Sequence, residues 1–257
     1  MRHGSQTVLR VAIGIPVLLG ALDLTVMSAV LPVIVEELSL PVPRGVRQAA
    51  WLVAGYLIAY AVGMLGAGRM ADAFGERRVL FVALGVFAVG SGFVAGGGPW
   101  GAGTIRTTAY QAFELRISPD EALLWALILG RVVQALAAGA IVPVGMAFGW
   151  RRFGDRTWLG FVGAIDLVGW TFGHLYGGII VRLADWRLAF WLNLPLVLLA
   201  AVLLARFGES TVSERGRFPI MRFGAVATGL ALAVSGVGES AESLTASNPW
   251  LVASGAA

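Results

Sequence analysis

Residues 68–79 read GRMADAFGERRV, a charged segment with two glycines set between two long apolar runs. Its reading depends on the rest of the chain, where only 13% of residues are charged and 58% are hydrophobic. A typical soluble domain carries about 25% charged residues. The mean hydropathy of +0.80 points the same way. Thirty-five glycines would weaken soluble helices, but glycine suits helices that pack closely inside a bilayer. These features describe an all-α polytopic membrane protein, in which residues 68–79 form a loop between two spans.

Several function classes fall away on composition. There is no cysteine, which removes disulfides, thiolate metal sites and cysteine nucleophiles. All nineteen basic residues are arginine, so a lysine Schiff base is impossible. His3 and His174 are the two histidines, too few for a multi-histidine metal site, and no cofactor is expected. The sequence pI of about 10.3 could suggest nucleic acid. The arginines, however, are scattered between apolar runs, which is the pattern of membrane topology, and no nucleic-acid partner is expected.

A membrane helix needs about 20 mostly apolar residues. Seven segments qualify: 8–34, 49–71, 79–97, 122–148, 158–181, 188–206 and 222–238. Arg2, Arg10, Arg69, Arg77, Arg78, Arg151, Arg152, Arg156, Arg206, Arg215, Arg217 and Arg222 fall on the side of the N-terminus. Arg44, Arg47, Arg106, Arg116, Arg182 and Arg187 fall on the other. That asymmetry predicts a cytoplasmic N-terminus in a bacterial plasma membrane. Residues 98–121 read as the longest outer connection, a surface excursion opened by glycine and proline, with SPDE at 118–121 as the N-cap of the fourth helix. Residues 207–221 read as a polar cytoplasmic linker.

Charges inside spans are costly and are functional candidates by default. Asp23 lies near the middle of span one, and Arg131 lies mid-span in LGRVVQALAAGA with Gln134 on the same face. Asp166 and His174 lie in span five. The same span carries Gly160, Gly169, Gly173, Gly177 and Gly178, a smooth stripe predicted to seat a neighbouring helix.

These residues together resemble the major facilitator superfamily, and within it the fourteen-helix drug–proton antiporter branch. Gly68, Asp72, Gly75, Arg77 and Arg78 resemble its loop signature G-x-x-x-D-x-x-G-[RK]-[RK], with Glu76 displacing the basic pair by one place and Ala73 where a basic residue is usual. LDLTVMSAVLPVI from Leu22 resembles the helix-one signature of the branch. Arg131 and Gln134 resemble R-x-x-Q-G, with Ala135 in place of glycine. The five span-five glycines resemble the antiporter pattern G-x8-G-x3-G-P-x-x-G-G, with His174 at the proline. WRLAFWLNLP from Trp186 resembles W-R-x-x-F-x-x-N-x-P.

The resemblance implies a six-helix N-terminal bundle built as a 3+3 inverted repeat (1–206), the linker 207–221, and a seventh helix with the start of an eighth (222–257), in a chain that reads as truncated. It implies proton-coupled export of small drug-like or amphipathic compounds by alternating access, and no enzyme activity. Asp23, Arg131, Gln134 and His174 are then candidates for coupling, and Gly68, Asp72, Gly75, Arg77 and Arg78 for a gate, with the two glycines permitting a tight turn. The stripe's partner is expected in a second bundle beyond this sequence. Expected partners are a small-molecule substrate, protons and the lipid bilayer, with self-association if the chain is complete. A half-transporter without activity of its own is the alternative. An intramembrane serine protease is the remaining class; its nearest match, VGSGF around Ser91, lacks the first glycine of the required G-x-S-G.

Overall fold

The computed structural model describes residues 3–39, 44–113, 117–154 and 156–207. The expected linker and seventh span lie outside them. The described residues form α1 (His3–Glu37), α2 (Arg44–Ala49), α3 (Trp51–Phe74), α4 (Glu76–Gly92), a π-helical turn (Phe93–Gly97), α5 (Gly98–Phe113), α6 (Pro119–Phe153), α7 (Arg156–Leu183) and α8 (Leu188–Phe207). Six segments are long and apolar enough to cross a membrane: Gln6–Glu37, Gly45–Phe74, Glu76–Gly96, Pro119–Phe153, Arg156–Leu183 and Leu188–Phe207. They correspond one to one with the first six expected spans. The longest helices have 35 residues, or about 52 Å at 1.5 Å per residue, and so overrun a hydrocarbon core of about 30 Å.

Local sequence explains the breaks. Gly75 adopts φ 88°, a backbone that side-chain-bearing residues rarely accept, and it separates α3 from α4. The loop expected at 68–79 is thereby reduced to this one residue, because the apolar faces of both helices continue into it; Gly68 lies within α3 and faces open space. α6 opens on Ser118, whose hydroxyl accepts the Glu121 backbone N–H at 3.1 Å, with Pro119 in the first turn. Gly154 at φ 66° closes it, and Arg151 and Arg152 in its last turn complement the helix dipole.

The expected surface excursion at 98–121 is largely helical. Pro99 follows directly on the π-helical turn Phe93–Gly97, where the backbone hydrogen-bond pattern already changes, and the helix runs on through it. The glycines serve close packing: a side chain at Gly98 would come within 2.9 Å of Leu123, and one at Gly101 within 3.0 Å of Ala126 on α6.

The bundle repeats itself. α3 packs on α6 as α7 packs on α1, and α4 packs on α6 as α8 packs on α1. α1 meets α6, and α4 meets α8. This is the pattern of two three-helix units, α1–α3–α4 and α6–α7–α8, related by an inverted repeat. Both major crossings are made by small residues, because helices in lipid associate through packing rather than through expulsion of water. At the first, a Cβ on Gly63 would strike the Leu136 carbonyl, and one on Gly139 the Tyr60 carbonyl. At the second, Gly169, Gly173 and Gly177 lie against Leu18, Ala21, Thr25, Val26 and Ala29 of α1.

The expected partner of the stripe is thereby corrected. Three of its five glycines seat α1 of the same bundle, while Gly160 and Gly178 face open space.

Two apolar clusters stack along the bundle. One includes Leu19, Phe87, Ala135 and Val197; the other includes Val26, Val94, Ile128 and Phe190. Each of α1, α4, α6 and α8 passes from the first to the second within about two turns. A layer between them is left for other side chains.

Candidate functional site

That layer is polar. Its members are Asp23 from α1, Ser91 from α4, Arg131 and Gln134 from α6, and Asn193 from α8, all buried. Arg131 Nη1 donates to Asp23 Oδ2 and, at 2.8 Å, to Gln134 Oε1, while Nη2 donates to the Asp23 backbone carbonyl at 3.1 Å. Gln134 Nε2 donates to Asp23 Oδ1 at 3.0 Å and to Ser91 Oγ at 2.6 Å. Asn193 Nδ2 adds weaker contacts to the same two oxygens at 3.4 and 3.3 Å. The Arg131 guanidinium lies 4.0 Å from the centre of the Tyr56 ring and 5.5 Å from that of Phe190. The aromatic faces replace part of its lost hydration.

The backbone makes this convergence possible. A Cβ on Gly90 would sit 2.7 Å from Gln134 Cβ, so only glycine lets α4 come near enough for Ser91 to meet the Gln134 amide. The i, i+3 spacing of Arg131 and Gln134 aims both at Asp23. A buried charge pair is tolerable when its remaining donors and acceptors are filled, and here the two amides and a hydroxyl fill most of them.

Asp23, Arg131 and Gln134 are thus brought together. His174 is not: it is exposed, next to Gly173, and is not part of the hydrogen-bonded layer. Sequence reasoning missed Ser91, Asn193 and Tyr56. Asn193 stands inside WRLAFWLNLP, and the sequence marks Ser91 only as a candidate nucleophile.

The expected gating residues lie at the arginine-rich end. Arg77 donates to the Ala205 carbonyl near the end of α8 at 3.1 Å and lies over the Phe81 ring. Asp72 and Arg78 are exposed. Glu76, the residue that displaces the basic pair, is buried and pairs with Arg151 of α6 at 3.1 Å. At the opposite end Glu37 of α1 is held by Arg187 (2.7 Å) and by the Trp186 indole (2.7 Å). No group of three or more His, Asp or Glu side chains that could hold a metal ion occurs among the described residues.

Six apolar spans in an inverted repeat, enclosing a charged layer, define the class as a multi-pass membrane protein. The Major Facilitator Superfamily profile matches residues 15–219, and the chain belongs to that family of secondary transporters. It is not an enzyme. It is 34% identical over 202 residues to a probable triacylglyceride transporter of Mycobacterium leprae, covering 76% of this chain and 35% of that protein. It is 35% identical over 211 residues to a triacylglyceride transporter of Mycobacteroides abscessus, covering 79% of this chain and 35% of that one. The chain therefore spans about a third of the length of these relatives. In fold it matches a proton:xylose symporter with a TM-score of 0.59 at 18% identity, covering 93% of this chain and 53% of the symporter.

Proposed function

We propose that the chain acts in proton-coupled export of amphipathic or lipid-like compounds by alternating access, with Asp23 as the proton-binding acid. The observation that supports this is the position of Asp23: a titratable carboxylate between two apolar layers, held by a cation on another helix. Protonation of Asp23 would cancel its attraction for Arg131 and free the guanidinium and the Gln134 amide. Binding and loss of one proton would thus switch the layer between two hydrogen-bond arrangements, which is what coupling to a conformational change requires. The arginine-rich end is taken as cytoplasmic. There Gly75 supplies the turn, and Asp72 at the end of α3 with Arg77 and Arg78 at the start of α4 would make the contacts that bias an inner gate.

For the substrate, two sources point in different directions. The names of the relatives suggest triacylglyceride-class lipids, while the span-five pattern resembles that of drug antiporters. Both classes are largely apolar. The test uses the intact protein in proteoliposomes under an imposed pH gradient, with a fluorescent triacylglycerol analogue in one arm and ethidium in the other. The gradient is expected to drive at least one probe, and Asp23→Asn to abolish that movement while the protein still inserts. Gradient-driven transport at the parent rate in Asp23→Asn would overturn the assignment.

A further inference from the structure

One acid in the spans is left over. Asp166 lies on α7, half-buried, and its Oδ1 is shut off from solvent without a hydrogen-bond partner. The Trp170 side chain, one turn on, hydrogen-bonds the carboxylate. Among the described residues no cation hydrogen-bonds it. Of the charged side chains on α1, α6 and α8, among them Arg10, Asp23, Arg131, Arg151 and Arg206, none acts on its carboxylate. From α3, however, Tyr60 feels the charge of the Asp166 carboxylate.

Tyr60 connects Asp166 to the polar layer. Its ring stacks on that of Tyr56, with centroids 6.2 Å apart and planes within 18°. Tyr56 in turn lies under Arg131, and its hydroxyl reaches the Asp23 carboxylate as well as the Gly20 carbonyl. Asp166, Tyr60, Tyr56 and Asp23 therefore form a row. Packing fixes its direction along the helices: Ile165 sits against Gly14, and Gly169 against Leu18 and Ala21. Asp166 thus lies nearer the arginine-rich end than Asp23 does.

An ionisable group inside a span is a functional candidate by default, and one oxygen of Asp166 lacks the partner that a structural role would give it, with no cation in compensation. A proton site does not need that partner. We propose that Asp166 is a second proton-binding acid, which receives the proton from Asp23 and passes it to water at the arginine-rich end. In the step the O–H bond at Asp23 breaks and one forms at Asp166, with water carrying the proton past the Tyr56 and Tyr60 hydroxyls. The negative charge moves from Asp166 to Asp23, where Arg131 stands ready to hold it. The proposal rests on the proton-coupling reading of Asp23.

The test compares Asp166→Asn, Asp166→Glu and Asp23→Asn in the intact reconstituted protein. Three quantities are read: gradient-driven transport of the triacylglycerol analogue or ethidium, whichever the parent moves; exchange of that probe at equal pH; and carboxyl titration by infrared difference spectroscopy. Asp166→Asn is expected to lower gradient-driven transport by roughly a hundredfold, as removal of a positioned proton acceptor does. It should leave equal-pH exchange near the parent rate and remove one carboxyl signal, and Asp166→Glu should restore both transport and signal. An Asp166→Asn pH profile that overlays the parent's, while Asp23→Asn is inactive, overturns the Asp166 proposal alone. Loss of driven transport and exchange together, unrescued by glutamate, makes Asp166 structural and also overturns it. Normal transport in Asp23→Asn instead overturns the reading on which the proposal rests.

Discussion

At the scale of single residues, the buried polar layer is organised around one charge pair and the groups that complete its hydrogen bonding. Arg131 spends two nitrogens on Asp23 and Gln134, and its face on Tyr56. Removing one member strands the other, a loss of about 3–5 kcal/mol for buried pairs, whereas replacing both with neutral groups is often tolerated. Arg131→Met is therefore expected to lower the thermal unfolding temperature in detergent sharply, and the Asp23→Asn, Arg131→Met double variant to recover most of that loss. An additive double variant would mean that the two side chains do not depend on each other. Asp23 and Arg131 were legible in the sequence because a charge in an apolar run is conspicuous. Ser91 and Asn193 were not, since small polar side chains are common in membrane helices and only their neighbours give them a role.

At the scale of helices, the glycines divide by what they face. Gly173 lies against Leu22 and Thr25 of α1, while Gly178, on the same helix, has nothing within contact distance. Gly173→Leu would drive α1 and α7 apart and is expected to destabilise the bundle, whereas Gly178→Leu should leave its melting temperature unchanged. Both are measured by thermal unfolding in detergent; equal effects would show that spacing, not contact, governs the stripe. The repeat of four residues was visible in the sequence, but its partner was not. Periodicity tells which residues share a face and is silent on which helix that face meets. The same limit explains α5. GGGPWGAG reads as a breaker by local propensity, yet Gly98 and Gly101 pack closely on α6, where bulkier residues would not fit, and Gly96 packs on Trp191 of α8.

At the scale of the whole molecule, the charge asymmetry predicts the orientation. Arg69, Arg77, Arg78, Arg151, Arg152 and Arg156 gather at one end, and the Glu37–Arg187 pair lies at the other. With no cysteine in the chain, single-cysteine variants need no prior background removal. In intact cells, Asp185→Cys and Thr108→Cys are expected to react with a membrane-impermeant maleimide, and Arg78→Cys only after the cells are opened. The reverse pattern would invert the topology and the direction of the proposed proton path.

The sequence by itself determined the six spans, the Gly75 turn, the Ser118 cap and the presence of an acid and a cation within the bilayer. Each of these depends on a short run of residues, through backbone geometry or the cost of moving charge into hydrocarbon. Tertiary structure alone decided that four helices deliver Asp23, Ser91, Arg131, Gln134 and Asn193 to one layer, that His174 stands outside it, and that α1 fills the glycine stripe. In a membrane helix the faces toward lipid and toward protein are both apolar, so hydropathy does not separate them. The separation comes from where backbones approach closely enough for small residues to be required.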